Sequence, residues 1–235
     1  MMPLSLAPRI LAFDTSSVRG SVALLEGREV RAELRLHSLQ THSALLLNSI
    51  QFLLNRLDWT LSDLNLVAVG IGPGSFTGIR IGIATALGIS QTLSIPFAGI
   101  SGLEALAHEA AFLDGRIGVM LDAHRSQVFY AEFISKRGKI QLCQKSTLID
   151  ISDLEHHIGD RHLYIVGDLG VCPLEKSRNA SSEWPRPIPV DLFLAADIGR
   201  LALSKKRRWR SKDSMVSEPM YIRPPDAFRN KSRKR

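Results

Sequence analysis

The residues able to do chemistry in this chain are aspartates at the ends of apolar runs, a glycine-rich stretch that opens a helix, and seven histidines. The stretch GIGPGSFTGIRIG, residues 70–82, follows LNLVAVG and has the texture of a phosphate-cradling loop. Three templates reject that reading at named positions. A Walker A loop needs glycine where Thr77 stands and a following Gly-Lys-Ser/Thr, which is missing. A dinucleotide fingerprint needs a third glycine where Ser75 or Thr77 stands. A nucleophile elbow centred on Ser75 needs glycine in place of Pro73 and Thr77. What remains is a tight Gly72-Pro73-Gly74 turn feeding a helix whose first N–H groups Ser75 or Thr77 can cap, an unspecific anion site at most.

Asp14 stands in FDTSSVRGSVAL, followed by Thr15, Ser16 and Ser17. A carboxylate there can hold a metal-bound or water-bound phosphate in a cleft between two subdomains, or cap backbone N–H groups of a turn. Asp122 in MLDAHRSQV is its counterpart. The histidines offer no helical i, i+4 pair with a third ligand, so no metal is expected. Ser, His and Asp occur in no motif that fixes a triad, and no catalytic residue is assigned.

These groups need elements to position them. RILAFDTSS, GSVALLEG and REVRAELRL read as three strands joined by turns, which puts Asp14 at a strand end. The segment over 43–57 has a helical period with Leu46, Ile50, Leu53, Leu54 and Leu57 on one stripe. Leu45, Leu47 and Phe52 add a second apolar flank. LSDLNLVAVGIG is a central strand, 77–93 a helix, SIPFAGI a buried strand and GLEALAHEAAFL a further helix. From RIGVMLD to STLI the opening meander recurs, and Asp122 takes the place of Asp14. A helix at SDLEHHIG, a strand at HLYIVGD, a loop from Pro173 to Pro189, a helix at DLFLAADIGRLALSKK and the proline-stopped EPMYIRPPDAF complete the chain. The repeat predicts an N-terminal subdomain over 1–108, a C-terminal subdomain over 109–225 and a basic tail over 226–235.

Along the 77–93 helix and the turn before it, Gly74, Gly78, Gly82 and Ala86 recur every four residues. Such a row serves close internal packing, or lets a partner's helix approach. The surplus apolar surface of the 43–57 helix favours a partner face there.

Composition narrows the function classes. With 45% hydrophobic and 23% charged residues in 235, the chain folds as a globular protein. The net charge of +7 is local: residues 205–235 hold twelve Lys and Arg against Asp213, Glu218 and Asp226, and the rest sums to −2. A whole-protein nucleic-acid footprint is therefore not indicated, although the basic end can touch phosphate. Cys143 and Cys172 have no metal or redox spacing and are expected to be free thiols. No signal segment or apolar run of membrane-spanning length is read, so a cytoplasmic protein without membrane contact is expected.

Taken together, ILAFDTSSVRGSVAL, THSALLL, GIGPGSFTGIRIGIATALGIS, LDAHRSQVFYAEF and EPMYIRP closely resemble the TsaB family, also called YeaZ, over roughly residues 9–225. The resemblance implies a two-lobed actin-like, Hsp70 and sugar-kinase (ASKHA) α/β fold, each lobe a mixed sheet with flanking helices. It implies a bacterial protein acting in synthesis of threonylcarbamoyladenosine (t6A) at tRNA position 37, as a non-catalytic partner of the transferase TsaD. The implied partners are TsaD in a heterodimer, the ATPase TsaE, a second copy when alone, and tRNA only through the complex. No intrinsic cofactor is implied, while ATP or ADP can enter with the complex. The implied interface lies on the N-lobe helices at Leu46, Ile50, Leu53, Gly74, Ser75, Phe76, Gly78, Ile79, Gly82 and Ala86. Asp14, Thr15, Ser16 and Asp122 would mark a relic nucleotide cleft.

TsaD-like proteins carry a His-x-x-x-His metal pair after the glycine-block helix, where this chain has Gly102 and Leu106. They also carry a glycine-rich phosphate loop where this chain has LDAHRSQV, and Arg125 would crowd a backbone approach. Both departures point to a pseudo-enzyme. The alternative is a nucleotide-binding ATPase or transferase in its own right, using Asp14 and Asp122. Arg229, Lys231, Arg233, Lys234 and Arg235 are candidates for tRNA contact.

Overall fold

Short apolar runs punctuated by Gly, Ser and charged residues become the strands of two sheets. In the computed structural model, residues 7–37, 42–159, 161–171 and 185–205 are described. Among them the chain forms two compact units, one from the residues up to Ala105 with those from Leu192, the other from Leu106 to Asp191.

The first unit opens with an antiparallel meander, β1 (Arg9–Asp14), β2 (Arg19–Glu26) and β3 (Glu29–His37). Helix α1 (His42–Arg56) and a 3-10 turn lead to β4 (Leu66–Gly70), which lies parallel to β1 with Ala12 opposite Ala68. Helix α2 (Phe76–Leu93) returns the chain to β5 (Phe97–Ile100), parallel to β4, for a sheet order β3-β2-β1-β4-β5. Strands β1 and β4 are buried almost throughout, which their unbroken apolar runs require, because helices cover both faces of the sheet. On one face Leu11, Phe13, Leu24, Val67 and Val69 pack with Leu46, Ile50, Leu53 and Leu54 of α1 and Ala86 of α2. Each large side chain so buried contributes about 1.5–3 kcal/mol. Helix α5 (Ala195–Ser204) covers the other face, so closely that a β-carbon at Gly199 would meet Leu25 at 2.6 Å and Ala12 at 3.2 Å. The N–H of Ala195 donates to Ser21 Oγ at 3.1 Å.

The placement of α5 corrects the reading that put this helix with the C-terminal subdomain. Its amphipathic stripe is an apolar face for a sheet, and only tertiary contact decides which sheet. The division between units falls inside α3 (Gly102–Glu109).

The second unit repeats the plan. Strands β6 (Gly115–Asp122), β7 (Gln127–Lys136) and β8 (Lys139–Asp150) form an antiparallel meander, α4 (Ile151–Ile158) follows, and β9 (Leu163–Gly167) runs parallel to β6. A two-residue strand β10 (Arg186–Pro187) pairs parallel to β9 within the segment expected to be only loop. The order β8-β7-β6-β9-β10 is the same as in the first unit. Asp14 and Asp122 thus end equivalent strands. The core packs Met120, Val128, Tyr130, Leu154, Ile158 and Ile165.

Glu132, 1% exposed, lies within this unit. Its carboxylate accepts from Arg161 at 2.5 Å, Tyr130 Oη at 2.9 Å and Arg116 at 3.3 Å. Arg161 also donates to the carbonyls of His157 and Ile158 at the end of α4, so one guanidinium caps a helix and neutralises a buried carboxylate. Among the described residues no helix is long and apolar enough to cross a membrane. EPMYIRPPDAF, Cys172, Arg229, Lys231, Arg233, Lys234 and Arg235 lie outside the described residues.

Candidate functional site

The glycine block ends up against the turn that follows β1. Ser75 N–H donates to the Ser16 carbonyl at 2.6 Å, and Thr15 Oγ1 donates to the Gly78 carbonyl at 2.7 Å. Ser75 caps α2 through Gly78 N–H at 3.2 Å. A β-carbon at Gly74 or Gly78 would fall closer than 3.0 Å to the carbonyl oxygen of Ser16 or Thr15, and one at Gly82 would lie 2.6 Å from Thr15 Oγ1 and 3.1 Å from Val69. Only glycine permits this approach, and at Gly74 the positive φ of 158° adds a second reason.

Gly78, Gly82 and Ala86 are therefore buried against the chain's own turn and core, not a partner helix, while Gly74, close to the Ser16 carbonyl, is itself exposed. Leu46, Ile50, Leu53 and Ile79 are buried in the same unit, each at or below 4% exposure. For the buried positions Leu46, Ile50, Leu53, Gly78, Ile79, Gly82 and Ala86 the expected interface is corrected. Periodicity identifies residues that share a face, and here that face looks inward. Ser75 and Phe76 sit at the accessible start of α2, with the Arg80 guanidinium 3.7 Å over the Phe76 ring.

The turn also occupies Asp14. The carboxylate is 2% exposed and accepts from Ser16 N–H at 3.1 Å and from Ser16 Oγ at 3.0 Å. With the glycine block lying on Thr15 and Ser16, the strand end is a closed hydrogen-bonded turn. A β-carbon at Gly70, at the end of neighbouring β4, would run into Asp14 Oδ1. In the second unit Asp122 accepts from His124 N–H at 2.6 Å and pairs with His124 Nδ1 at 3.0 Å. His124, Arg125 and Ser126 all have φ near +57°, a left-handed run that costs about 1 kcal/mol per non-glycine residue. Among the described residues no group of three or more His, Cys, Asp or Glu could hold a metal ion.

The accessible surface of this region is the outer face of α1 and α2. Leu47 is 58% exposed and Phe52 48%, and on α2 the exposed positions include Thr77, Arg80, Ala84, Gly88 and Gln91. A β-carbon at Gly88 would meet nothing within 4 Å. Ala84 and Gly88 thus form a small pair at i, i+4 on the side opposite Gly82 and Ala86. Neither helix contains an acidic residue, and Arg56 and Arg80 are their only Lys or Arg. A sequence reading marked Leu47 and Phe52 as a second flank but missed Ala84 and Gly88, whose spacing was the available signal.

Comparison with known proteins places these features in a family. The profile of the family described as "TsaD: tRNA N6-adenosine threonylcarbamoyltransferase" matches residues 37–160. The tRNA threonylcarbamoyladenosine biosynthesis protein TsaB of Buchnera aphidicola is 37% identical over 149 residues, covering 62% of this chain and 70% of that protein. The chain belongs to the TsaB (YeaZ) family. TsaB of Bacillus subtilis is 37% identical over 132 residues, covering 56% of this chain and 58% of that one. TsaB of Escherichia coli is 38% identical over 127 residues and is covered to 54%, so the chain spans little more than half the length of these two relatives. A solved Pseudomonas aeruginosa structure, described as an uncharacterized protein with similarity to peptidase YeaZ, superposes with a TM-score of 0.73 at 26% identity. The match covers 92% of this chain and 100% of that one. Component A of the Acidaminococcus fermentans (R)-2-hydroxyglutaryl-CoA dehydratase superposes with a TM-score of 0.51 at 11% identity over 85% of this chain and 99% of that one, a likeness of fold alone. The fold is thus α/β and ASKHA-like, two mixed sheets with flanking helices, as the resemblance implied.

Gly102, where the resemblance led a metal ligand to be sought, opens α3, and Leu106 is fully buried on the same helix. Neither side chain can ligate a metal ion.

Proposed function

We propose that this TsaB-family chain supports synthesis of threonylcarbamoyladenosine at tRNA position 37 as a non-catalytic partner of the TsaD transferase. It docks on TsaD through the outer face of α1 and α2. The observation that carries this reading is the exposure of Leu47 and Phe52 on α1 and of Ala84 and Gly88 on α2, among uncharged polar residues, on two helices with one Arg each and no acid. Large apolar side chains exposed together on a helix surface favour a partner that covers them. The TsaB relatives, tRNA threonylcarbamoyladenosine biosynthesis proteins, supply the pathway. Supporting the non-catalytic role, both oxygens of Asp14 accept from Ser16, and Gly102 and Leu106 stand where a transferase would need ligands.

The same face pairs with a second copy when the chain is alone, TsaE joins the assembled pair, and ATP or ADP enters with the complex. The basic residues Arg229, Lys231, Arg233, Lys234 and Arg235 hold tRNA phosphates in that complex.

Reconstitution tests the reading. TsaC, TsaD, TsaE and tRNA are combined with and without this chain, and modified adenosine is scored. Modification that does not depend on the chain would refute it. Titration of ATP and Mg²⁺ into the isolated chain separates it from the ATPase alternative, for which tight binding with turnover is required. Removing residues 229–235 lowers tRNA affinity of the complex and flattens its salt dependence, whereas an unchanged salt slope returns the tail to a solvated end.

A further inference from the structure

The second unit separates its charges along its strands. One end of its sheet gathers the start of β6, the β7–β8 hairpin tip and the start of β9. There, segments 114–116, 134–140 and 161–163 hold Arg116, Lys136, Arg137, Lys139 and Arg161 against Asp114 alone. At the other end, segments 121–127, 149–153 and 167–168 hold Asp122, Asp150, Asp153 and Asp168, with Arg125 as their one Lys or Arg. Such a separation sets up a field that draws an anion to the first end. Two of the cations there are already engaged, since Arg116 and Arg161 share Glu132. The hairpin tip supplies the others. Arg137 and Gly138 have φ of 52° and 73°, a two-residue turn with left-handed central positions, which sets Lys136 directly opposite Lys139. Like charges so placed repel, and Arg137 between them adds a third.

Lysines on an edge strand also guard a sheet against pairing with another chain. That accounts for Lys139 on β8, but not for Lys136 on the inner strand β7, nor for an exposed ring beside them. Phe112 is 74% exposed. Its segment is fastened to the hairpin: Ser135 Oγ donates to the Ala111 carbonyl at 2.9 Å, and Arg137 N–H donates to Asp114 at 2.7 Å. Successive residues of a strand face opposite ways, so this segment lies on the Ser135 side of the hairpin and Lys136 and Lys139 on the other, with Arg137 at the tip between. An extended polyanion crossing the tip meets cations on one side and an aromatic ring on the other. Unpaired RNA offers the matching parts, phosphates and stackable bases. A bilayer would need the apolar groups together, whereas exposed Ile134 lies on the side of the lysines, away from Phe112.

We propose that the β7–β8 tip and Phe112 hold an unpaired stretch of tRNA, its phosphates on Lys136, Arg137 and Lys139 and a base on the Phe112 ring. This rests on the reading of the chain as a subunit in threonylcarbamoyladenosine synthesis, and it gives the second unit an RNA contact separate from residues 229–235.

Fluorescence anisotropy of a labelled, unmodified tRNA transcript tests it, with the full chain alone and with the chain mixed with TsaD. Lys139→Glu lowers tRNA affinity by about tenfold and reduces the slope of log affinity against log salt by about 0.7, one single-strand phosphate contact. Lys145→Glu makes the same charge change on the same strand away from the tip, and leaves both nearly unchanged. Phe112→Ala lowers affinity by about fivefold or more with the salt slope unchanged, as expected for a lost stack. The three side chains are exposed, so the circular dichroism spectrum and melting midpoint stay those of the unaltered chain. Unchanged affinity in Lys139→Glu and Phe112→Ala overturns the proposal, and so does an equal loss in Lys139→Glu and Lys145→Glu. Loss of TsaD association by calorimetry in Lys139→Glu, with tRNA affinity intact, also overturns it and assigns the tip to an acidic protein. Loss of binding to phosphatidylserine vesicles with tRNA affinity intact overturns it in favour of a membrane surface. If adenosine modification depends on the chain while both tip variants bind tRNA fully, this inference falls and the proposed function stands. If modification does not depend on the chain while the tip variants still lose tRNA, the proposed function falls and the RNA site stands.

Discussion

The backbone of Gly78 rests on Thr15, whose hydroxyl donates to the Gly78 carbonyl at 2.7 Å and whose own carbonyl oxygen fills the space a β-carbon would take. This ties the helix after β4 to the turn after β1. Gly78→Ala gains about 1 kcal/mol of helix propensity, but the new methyl meets a backbone oxygen that cannot rotate away, an overpacking cost of about 1–3 kcal/mol or more. The expected outcome is net destabilisation, read as a lower urea midpoint. Gly78→Leu is expected not to fold.

Gly88 lies on the same helix with the opposite surroundings, since nothing approaches its missing β-carbon within 4 Å. Gly88→Ala therefore keeps the propensity gain without a clash and stabilises the chain by about 1 kcal/mol. Urea unfolding of the pair Gly78→Ala and Gly88→Ala should give shifts of opposite sign.

The reason both glycines looked alike in the sequence is that α2 is apolar nearly all round. Ile79, Ile81, Ile83, Leu87 and Ile89 leave no polar stripe to mark the outside, so the four-residue period showed a shared face without its direction. The strands, by contrast, were legible from turn residues and alternation, and the recurrence of the meander located Asp122 as the counterpart of Asp14. Strand β10 was hidden because a two-residue pairing beside prolines has no periodicity to read. The assignment of α5 to the first sheet depends on contacts between Ala195 and Ser21, far apart in sequence, for which no local pattern exists. The same holds for Glu132 with Arg116 and Arg161, three residues on separate elements.

That cluster gives a prediction about the second unit. Glu132→Ala leaves the partly exposed Arg161 without its carboxylate and Tyr130 without its acceptor, and the lost charge-assisted hydrogen bonds cost about 1.5–3 kcal/mol. Chemical denaturation of the full chain checks it, and loss of the second unit's protection in hydrogen exchange locates the damage.

Tyr130 adds a pH dependence. Burial first, and then the Glu132 carboxylate, push its phenol above the ordinary value of 10.0. The unfolded chain releases this proton near pH 10 while the folded chain retains it, so above that pH the folded state binds more protons and stability falls as pH rises. The contribution is fully present below about pH 10, and the slope reaches about 1.4 kcal/mol per pH unit above it. Tyr130→Phe loses about 1 kcal/mol for the missing hydrogen bond but removes that alkaline slope. Midpoints measured between pH 7 and about pH 11 distinguish the two effects.

Leucine at position 82 and leucine at position 88 separate internal packing from docking on one helix. Gly82→Leu drives a side chain into Thr15 Oγ1 at 2.6 Å and Val69 at 3.1 Å, in a core with no room to accept it. The variant should unfold or melt far earlier, and any loss of TsaD association follows from that loss of structure. Gly88→Leu projects into open space beside exposed Ala84 and gains helix propensity over glycine, so the isolated chain keeps or raises its melting midpoint. If a partner helix lies against Ala84 and Gly88, the added side chain holds its backbone away, and affinity for TsaD falls by roughly tenfold or more, as expected when complementarity at a packed interface is lost. Calorimetry on the folded Gly88→Leu chain is the decisive measurement. Wild-type affinity in that variant would show that partner contact on the exposed face does not pass over Gly88, and would confine docking to the side of α1 that carries Leu47 and Phe52.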